Sequence, residues 1–319
     1  MSDFLVGFIV LNYQTYELTK TCVDSILKLH RKGCDVKIVI VDNSSKDGSG
    51  KKLKEVYQEN DSVYVIMCDK NVGFAEGNNQ GFYFIKQHFD ANFVVTTNSD
   101  VVFVQKSFLI ILFRLYEKNK FWVAGPDIYV KDRFFHQNPS MHYDSKLKTQ
   151  GYTSIDKINC YIKKWNNELE HMKKADYYAL YKYVREKYRK TVVVKLFFFM
   201  KNLVFRDYDY KLQKENVCLQ GSCLIFDSRY IRESINLFTP LTFLYLEEQI
   251  LQLDCYIQDR NMIYFPQLRV EHIDCGTAVG NKGEFKEFCK RNMIRLRRMI
   301  DSCYLYKRYF NEKVGTLYN

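Results

Sequence analysis

The chain has 319 residues, 47% hydrophobic and 27% charged, which is the composition of an ordinary folded protein; 4 Pro and 14 Gly argue against long disordered linkers. Its 48 Lys and Arg exceed its 37 Asp and Glu, for a formal net charge of +11. No window reaches the ~20 unbroken apolar residues of a membrane-spanning helix, and the nearest, 192–205, is interrupted by Lys195 and Lys201.

The first residues lead into an apolar run at 5–11, which predicts a buried strand rather than a secretory leader. Leu18, Cys22, Ile26 and Leu29 then recur at helical spacing, and Gly33 closes that helix. A second buried strand is expected at 36–41, followed by the loop Asp42-Asn43-Ser44-Ser45 and a helix at 51–59. Residues 63–67 predict a third strand, 75–88 a helix, 93–97 a fourth strand and 106–119 another helix. Strands alternating with helices imply an α/β fold around a Rossmann-like, mostly parallel central sheet with right-handed crossovers.

Residues 157–214 break this rhythm. Fifteen Lys and Arg stand there against six Asp and Glu, with eight Tyr interleaved in an amphipathic helical pattern. Strand-like residues return at 217–226, then a helix at about 246–260, a strand at 262–265 and a basic helix at 284–310. The ten cysteines form no Cys-x-x-Cys pair, and several fall inside apolar patterns. That favours reduced, buried thiols in a cytoplasmic protein over a disulfide framework or a zinc site.

Polar residues follow the first four strands in turn: Asn12 and Tyr13, then Asp42 and Asn43, then Asn71, Gly73 and Phe74, then Asn98-Ser99-Asp100. In open α/β sheets ligands bind outside the carboxyl ends of the strands. Asn and Asp there are also ordinary turn residues, but four successive strand ends point to one crevice. An Asp can accept hydrogen bonds from a nucleotide base or ribose, and Gly73 permits close backbone approach. No Gly-x-Gly-x-x-Gly follows the first strand and no P-loop occurs, which argues against a dinucleotide dehydrogenase and a P-loop NTPase. Without a glycine phosphate loop, phosphates are most simply neutralised by a divalent cation on Asp100. Downstream, Glu247 and Glu248 open a helix, whose N-terminus favours their charged form and makes them candidates for a catalytic base. His272 is a candidate second ligand, since imidazole with carboxylate suits Mn²⁺-like ions.

In this order the motifs resemble the family 2 glycosyltransferases, inverting enzymes with a GT-A fold, and within them a rhamnosyltransferase-like branch. The resemblance rests on Val10-Leu11-Asn12-Tyr13, on Val41 to Gly48, on Asn71-Val72-Gly73-Phe74-Ala75-Glu76-Gly77-Asn78-Asn79 and on Asn98-Ser99-Asp100. It continues through Gly221-Ser222-Cys223, Tyr245-Leu246-Glu247-Glu248, His272 and Gly276-Thr277. It implies that Asp42 sits on the nucleotide base with Asn12 and Asn71 nearby, and that Tyr13, Asn43, Gly73, Phe74, Asn78 and Ser99 complete the nucleotide-sugar site. It further implies that Asp100 and His272 hold Mn²⁺ or Mg²⁺, and that Glu248, beside Glu247, is the catalytic base. Two departures stand out: the metal motif opens with Asn98 rather than Asp, and Glu stands at 248 where the family has Asp.

The implied organisation is a nucleotide-sugar-binding half at 1–130, a basic, Tyr-rich, mostly helical insertion at 131–216, an acceptor-binding and catalytic half at 217–280, and a basic helical extension at 281–319. The implied partners are a UDP- or dTDP-sugar donor and a glycan acceptor, the latter carried on a polyprenyl diphosphate. The basic, Tyr-rich segment suits an anionic membrane surface, and no nucleic-acid recognition motif accompanies it. A sugar-phosphate nucleotidyltransferase and a non-catalytic nucleotide-sugar-binding subunit remain open as alternatives.

Overall fold

The structure is a computed structural model that describes residues 4–139, 152–188, 191, 208–273 and 284–315. The apolar run at 192–205 and Gly276-Thr277 lie outside the described residues. The first half alternates as expected: β1 (Phe4–Asn12), α1 (Tyr16–Leu27), β2 (Cys34–Asp42), α2 (Ser49–Tyr57), β3 (Val63–Met67), α3 (Gly73–His88) and β4 (Phe93–Asn98). Then come β5 (Val101–Val102), α4 (Phe108–Lys118), β6 (Val123–Val130) and β7 (Phe135–His136). Two helices, α5 (Ile155–Lys174) and α6 (Tyr177–Lys187), precede β8 (Lys214–Glu215), β9 (Cys223–Asp227) and α7 (Ser228–Glu233). The chain continues with α8 (Glu247–Ile257), β10 (Met262–His272) and the long α9 (Phe285–Gly315).

One sheet runs β3-β2-β1-β4-β9-β6-β10-β5, with β7 on β6 and β8 on β10. Strands β3, β2, β1 and β4 are mutually parallel, and so are β6 and β10. Between these two blocks β9 runs antiparallel to both β4 and β6. Every residue of β9 is buried, so its sequence carries no alternation from which its placement could be read. The sequence pattern also passed over β6, where Gly125-Pro126-Asp127 interrupts the apolar run with residues that strands disfavour. β10 is longer than expected, because Pro266 and the exposed Gln267 and Arg269 mark a bulge within the strand rather than its end. At 217–222 the reverse holds: Val217 and Leu219 are buried in alternation, yet the segment lies outside the sheet.

Each sheet face buries one apolar cluster. On one side α1, α2 and α4 deliver Cys22, Ile26, Leu53, Phe108 and Leu112 against Phe8, Val95 and Phe265. On the other, α3, α7 and α8 deliver Phe82, Ile85, Tyr230 and Leu251 against Ile9, Val94, Phe226 and Tyr264. A further helical layer covers α8: Ile158 of α5 and Cys303 and Tyr306 of α9 close over Leu246, Ile250 and Leu253. Among the described residues all nine cysteines are free, and no helix is long and apolar enough to cross a membrane.

Leu253 is fully buried where α5, α8 and α9 meet. Leu253→Ala is expected to cost about 2–5 kcal/mol, read from the midpoint of urea unfolding. A loss below about 1 kcal/mol would mean that the helical layer does not close over α8.

Candidate active site

The sheet brings the candidate residues to one edge. Asn12 ends β1 and is fully buried. Its amide donates to Asp42 Oδ1 at 2.6 Å, Ser49 Oγ at 3.0 Å and Ser45 Oγ at 3.3 Å, and its carbonyl accepts from Thr19 at 2.7 Å and Thr15 at 3.0 Å. Asp42 is also fully buried, and its second oxygen accepts the Ser45 N–H at 3.0 Å. Asn43 clamps the next loop, donating to Gly73 O at 3.0 Å and accepting from Val72 N–H at 2.8 Å. Asn78, 1% exposed, bonds Phe74 O one turn back in α3. Four expected ligand contacts, Asn12, Asp42, Asn43 and Asn78, are therefore turned inward. Their polar atoms tie strand ends and loops together, which is where buried polar groups must find partners.

Gly73 adopts φ +87°, and a Cβ there would lie 2.2 Å from Phe243 O. The close backbone approach expected at this glycine is made by the chain's own Phe243, whose carbonyl also accepts the Phe74 N–H at 3.0 Å. Asn71 caps the same turn by accepting from Gly73 N–H at 3.0 Å. On the open side lie Tyr13, which is exposed, and Ser99, whose hydroxyl is hydrogen-bonded with that of Thr15 at 3.0 Å. Thr15 thus links the Asn12–Asp42 network to the residue before Asp100.

Asp100 and His272 meet. The pair β5 and β10 sets His272 opposite Val101, and Ile273 N–H donates to Asp100 O at 2.8 Å. His272 Nε2 then stands 3.0 Å from Asp100 Oδ1, while Nδ1 lies 2.8 Å from Gln137 Oε1. The Gln137 amide holds the plane of the imidazole and leaves Nε2 facing the Asp100 carboxylate. One carboxylate with one imidazole fits Mn²⁺ in chemistry, and among the described residues no third His, Cys, Asp or Glu completes a cluster.

Glu247 and Glu248 start α8, after Tyr245 at φ +79° and Leu246 at φ +69°. Glu248 Oε1 accepts the Gly221 N–H at 3.1 Å, and Glu247 Oε1 accepts from Thr242 at 3.1 Å. A side chain at Gly221 would put Cβ 2.7 Å from Glu248 Oε1, so only glycine leaves the carboxylate its place. Ser222 O in turn accepts from Asn98 N–H at 3.0 Å. The base candidate and the Asp100 loop therefore flank the same two residues, 221 and 222. Burial overrides the helix N-terminus that was expected to keep both acids charged. Burial, helped by the adjoining Glu248, pushes Glu247 up to about 8, and burial also raises Glu248.

The profile of "Glycosyl transferase family 2" matches residues 8–167, half of the chain. The chain belongs to glycosyl transferase family 2. Among solved structures it is similar to a mannosyltransferase, PcManGT from Pyrobaculum calidifontis in complex with GDP-Man and Mn²⁺, at 11% identity and a TM-score of 0.48 over 87% of this chain and 58% of that one. It is also similar to S. aureus TarS 1–349, at 12% identity and a TM-score of 0.48 over 94% and 65%. The chain thus spans less than two thirds of either. No curated protein matches its sequence.

Sequence reasoning passed over Gln137, Asn138 and Thr242, and the serines and threonines that hold Asn12. Gln137 and Asn138 follow the two-residue β7 in a stretch without periodicity, so only the fold reveals them.

Because Glu247 titrates near 8 in the fold against roughly 4.3 in an unfolded chain, its proton is bound more tightly by the native state. Its contribution to stability is complete at acid pH and is lost as pH rises through about 8. Glu247→Gln is expected to flatten the decline of urea-unfolding stability between pH 5 and 9. Wild-type and variant curves of equal slope would show that Glu247 is ionised throughout.

Proposed function

We propose that this chain is an inverting glycosyltransferase that moves a sugar from a UDP- or dTDP-linked donor to a hydroxyl of a glycan acceptor. The observation that carries the reading is the arrangement around Gly221-Ser222, where Glu248 rests on one side and the Asn98–Asp100 loop, with His272, closes the other. A base and a cation-holding pair then face one donor from two sides.

The donor lies across the ends of β1, β2 and β4, between Tyr13, Asn71, Phe74 and Ser99, on a floor braced by Asn12, Asp42, Asn43 and Asn78. Asp100 and His272 hold Mn²⁺ or Mg²⁺, which when bound stabilises negative charge on the departing nucleotide diphosphate. Glu248 accepts the proton of the acceptor hydroxyl as that oxygen bonds the anomeric carbon, and the bond from that carbon to the diphosphate oxygen breaks. One displacement inverts the centre. Burial and the adjoining Glu248 raise Glu247, and burial raises Glu248; Glu248, resting on the Gly221 N–H, is the member of the pair placed to accept the proton. Raising a carboxylate toward the working pH by burial strengthens it as a base.

The finer reading places the enzyme in bacterial surface polysaccharide synthesis, capsule or O-antigen, as a hexosyl- or rhamnosyltransferase on the cytoplasmic face of the membrane, with a lipid-linked acceptor. The outward face of α6 supports it. Tyr177 is 83% exposed, Tyr181 48% and Tyr188 49%, with Leu180 and Val184 exposed between them and Arg185 and Lys187 alongside. An aromatic stripe edged by cations suits a headgroup layer.

Glu248→Gln is expected to lower transfer about 10²- to 10⁴-fold while donor binding, followed by thermal shift across a UDP- and dTDP-sugar panel with Mn²⁺, is unchanged. Full activity would remove Glu248 from the role. Separately, the protein is expected to co-sediment with vesicles containing phosphatidylglycerol and to be released by salt, and Tyr177→Ser with Tyr181→Ser to weaken binding. Equal pelleting with neutral vesicles would contradict an electrostatic contact.

A further inference from the structure

The segment at the end of β7 belongs to none of the family motifs, yet it touches both halves of the site. We propose that Gln137 and Asn138 are positioning residues that hold the metal-ligand pair and the base in one register. The inference rests on the reading above, in which Asp100 and His272 hold a divalent cation and Glu248 takes the proton.

β7 pairs antiparallel with β6, His136 opposite Tyr129, and Gln137 N–H extends the contact to Ile128 O at 2.9 Å. Extended backbone throws successive side chains to opposite sides. His136 goes to Asp127, Nδ1 to Oδ1 at 2.6 Å, and its ring stacks on Tyr210 at 3.5 Å between centroids. Gln137 goes the other way, to His272 Nδ1 at 2.8 Å. Asn138, 1% exposed, donates to Pro126 O at 2.8 Å and accepts from Gln220 N–H at 2.7 Å.

The next amide along, Gly221 N–H, is the one bonded to Glu248, and Ser222 O returns to Asn98. The contacts therefore close a ring: Asp100 to His272, His272 to Gln137, along the chain to Asn138, across to Gln220, along to Gly221 and Glu248, and back through Ser222 and Asn98. Gln137 fixes the plane of the imidazole, so that Nε2 is offered toward Asp100. Partners of this kind are worth 10- to 100-fold in metal affinity. Asn138 holds the Gln220-Gly221 turn on which the base rests.

The test measures Mn²⁺ binding by the electron paramagnetic resonance of the free ion, with UDP and separately with dTDP present. Gln137→Leu, close in size but without an acceptor, is expected to weaken Mn²⁺ about 10- to 100-fold and to raise the Mn²⁺ concentration for half-maximal donor hydrolysis in step. The melting temperature without metal is followed in parallel to confirm that the variant keeps the fold. Gln137→Glu keeps an oxygen acceptor and is expected to restore affinity to within about threefold, a rescue that a purely structural role does not produce. Should Gln137→Leu fail to fold, Gln137→Met gives the same comparison. Equal Mn²⁺ affinity in wild type and Gln137→Leu overturns the positioning role while leaving the metal reading intact. Wild type that takes up no Mn²⁺ with either nucleotide overturns the metal reading and this inference with it.

Discussion

The site depends on a two-residue ladder. β5 contributes only Val101 and Val102, yet their antiparallel pairing with Glu271 and His272, extended by Ile273 N–H to Asp100 O, carries a carboxylate from the first half of the chain to an imidazole from the second. β10 itself is anchored deep in the sheet on β6, and its bulge between Phe265 and Arg269 resets the register before His272. A shift of one residue would turn His272 away and present Glu271 instead. The ladder is short, but the core fixes both strands that approach it: Val101 and Val270 are buried in the same apolar cluster.

A second constraint holds Glu248, the candidate base. Tyr245 and Leu246 both adopt positive φ, a conformation that costs non-glycine residues about 1–3 kcal/mol each. The loop is held from three sides. Gly73 admits the Phe243 carbonyl, Ser302 of α9 donates to Leu244 O at 2.9 Å, and Thr242 bonds Glu247. Arg298 of α9 also lies over the Phe243 ring, 5.1 Å from its centre. The C-terminal helix thus does more than cover apolar surface: it braces the loop that launches α8 and sets where Glu248 starts. Positive φ at Tyr245 and Leu246, kept in place by these contacts, fixes where the first turn of α8 begins.

The first four strands and their helices were legible because buried strands and amphipathic helices alternate there without interruption. Asp100, Glu248 and His272 were legible as candidates because each sits at the end or start of such an element. The buried state of Asn12, Asp42, Asn43 and Asn78 was not, since a polar residue after a strand reads the same whether it faces ligand or loop. The side-chain network that decides the matter joins Asn12 to Ser49 and Thr19, residues on two different helices. The balance of forces on Glu247 and Glu248 was hidden for a related reason. Helix position is written in the sequence, whereas the burial that raises both acids comes from the fold and outweighs the hydrogen bonds from Thr242 and Gly221, which favour the charged forms.

The inward polar network divides the labour within the site. A buried Asn that satisfies five neighbours is rigid, because moving it leaves several groups unpaired at once, each at a cost of about 1–3 kcal/mol. Asn12 therefore acts as a keystone under the strand ends, locking Asp42 and the Ser45 turn on one side and the start of α1 on the other. Tyr13 adjoins Asn12 in the chain and is exposed, and Ser99 bonds Thr15, itself a partner of Asn12. Adjustable groups mounted on a satisfied polar base can change contacts without disturbing the fold. By the same reasoning, a substitution at Tyr13 on the rim leaves the fold in place, whereas one at Asn12 unpairs several buried groups together.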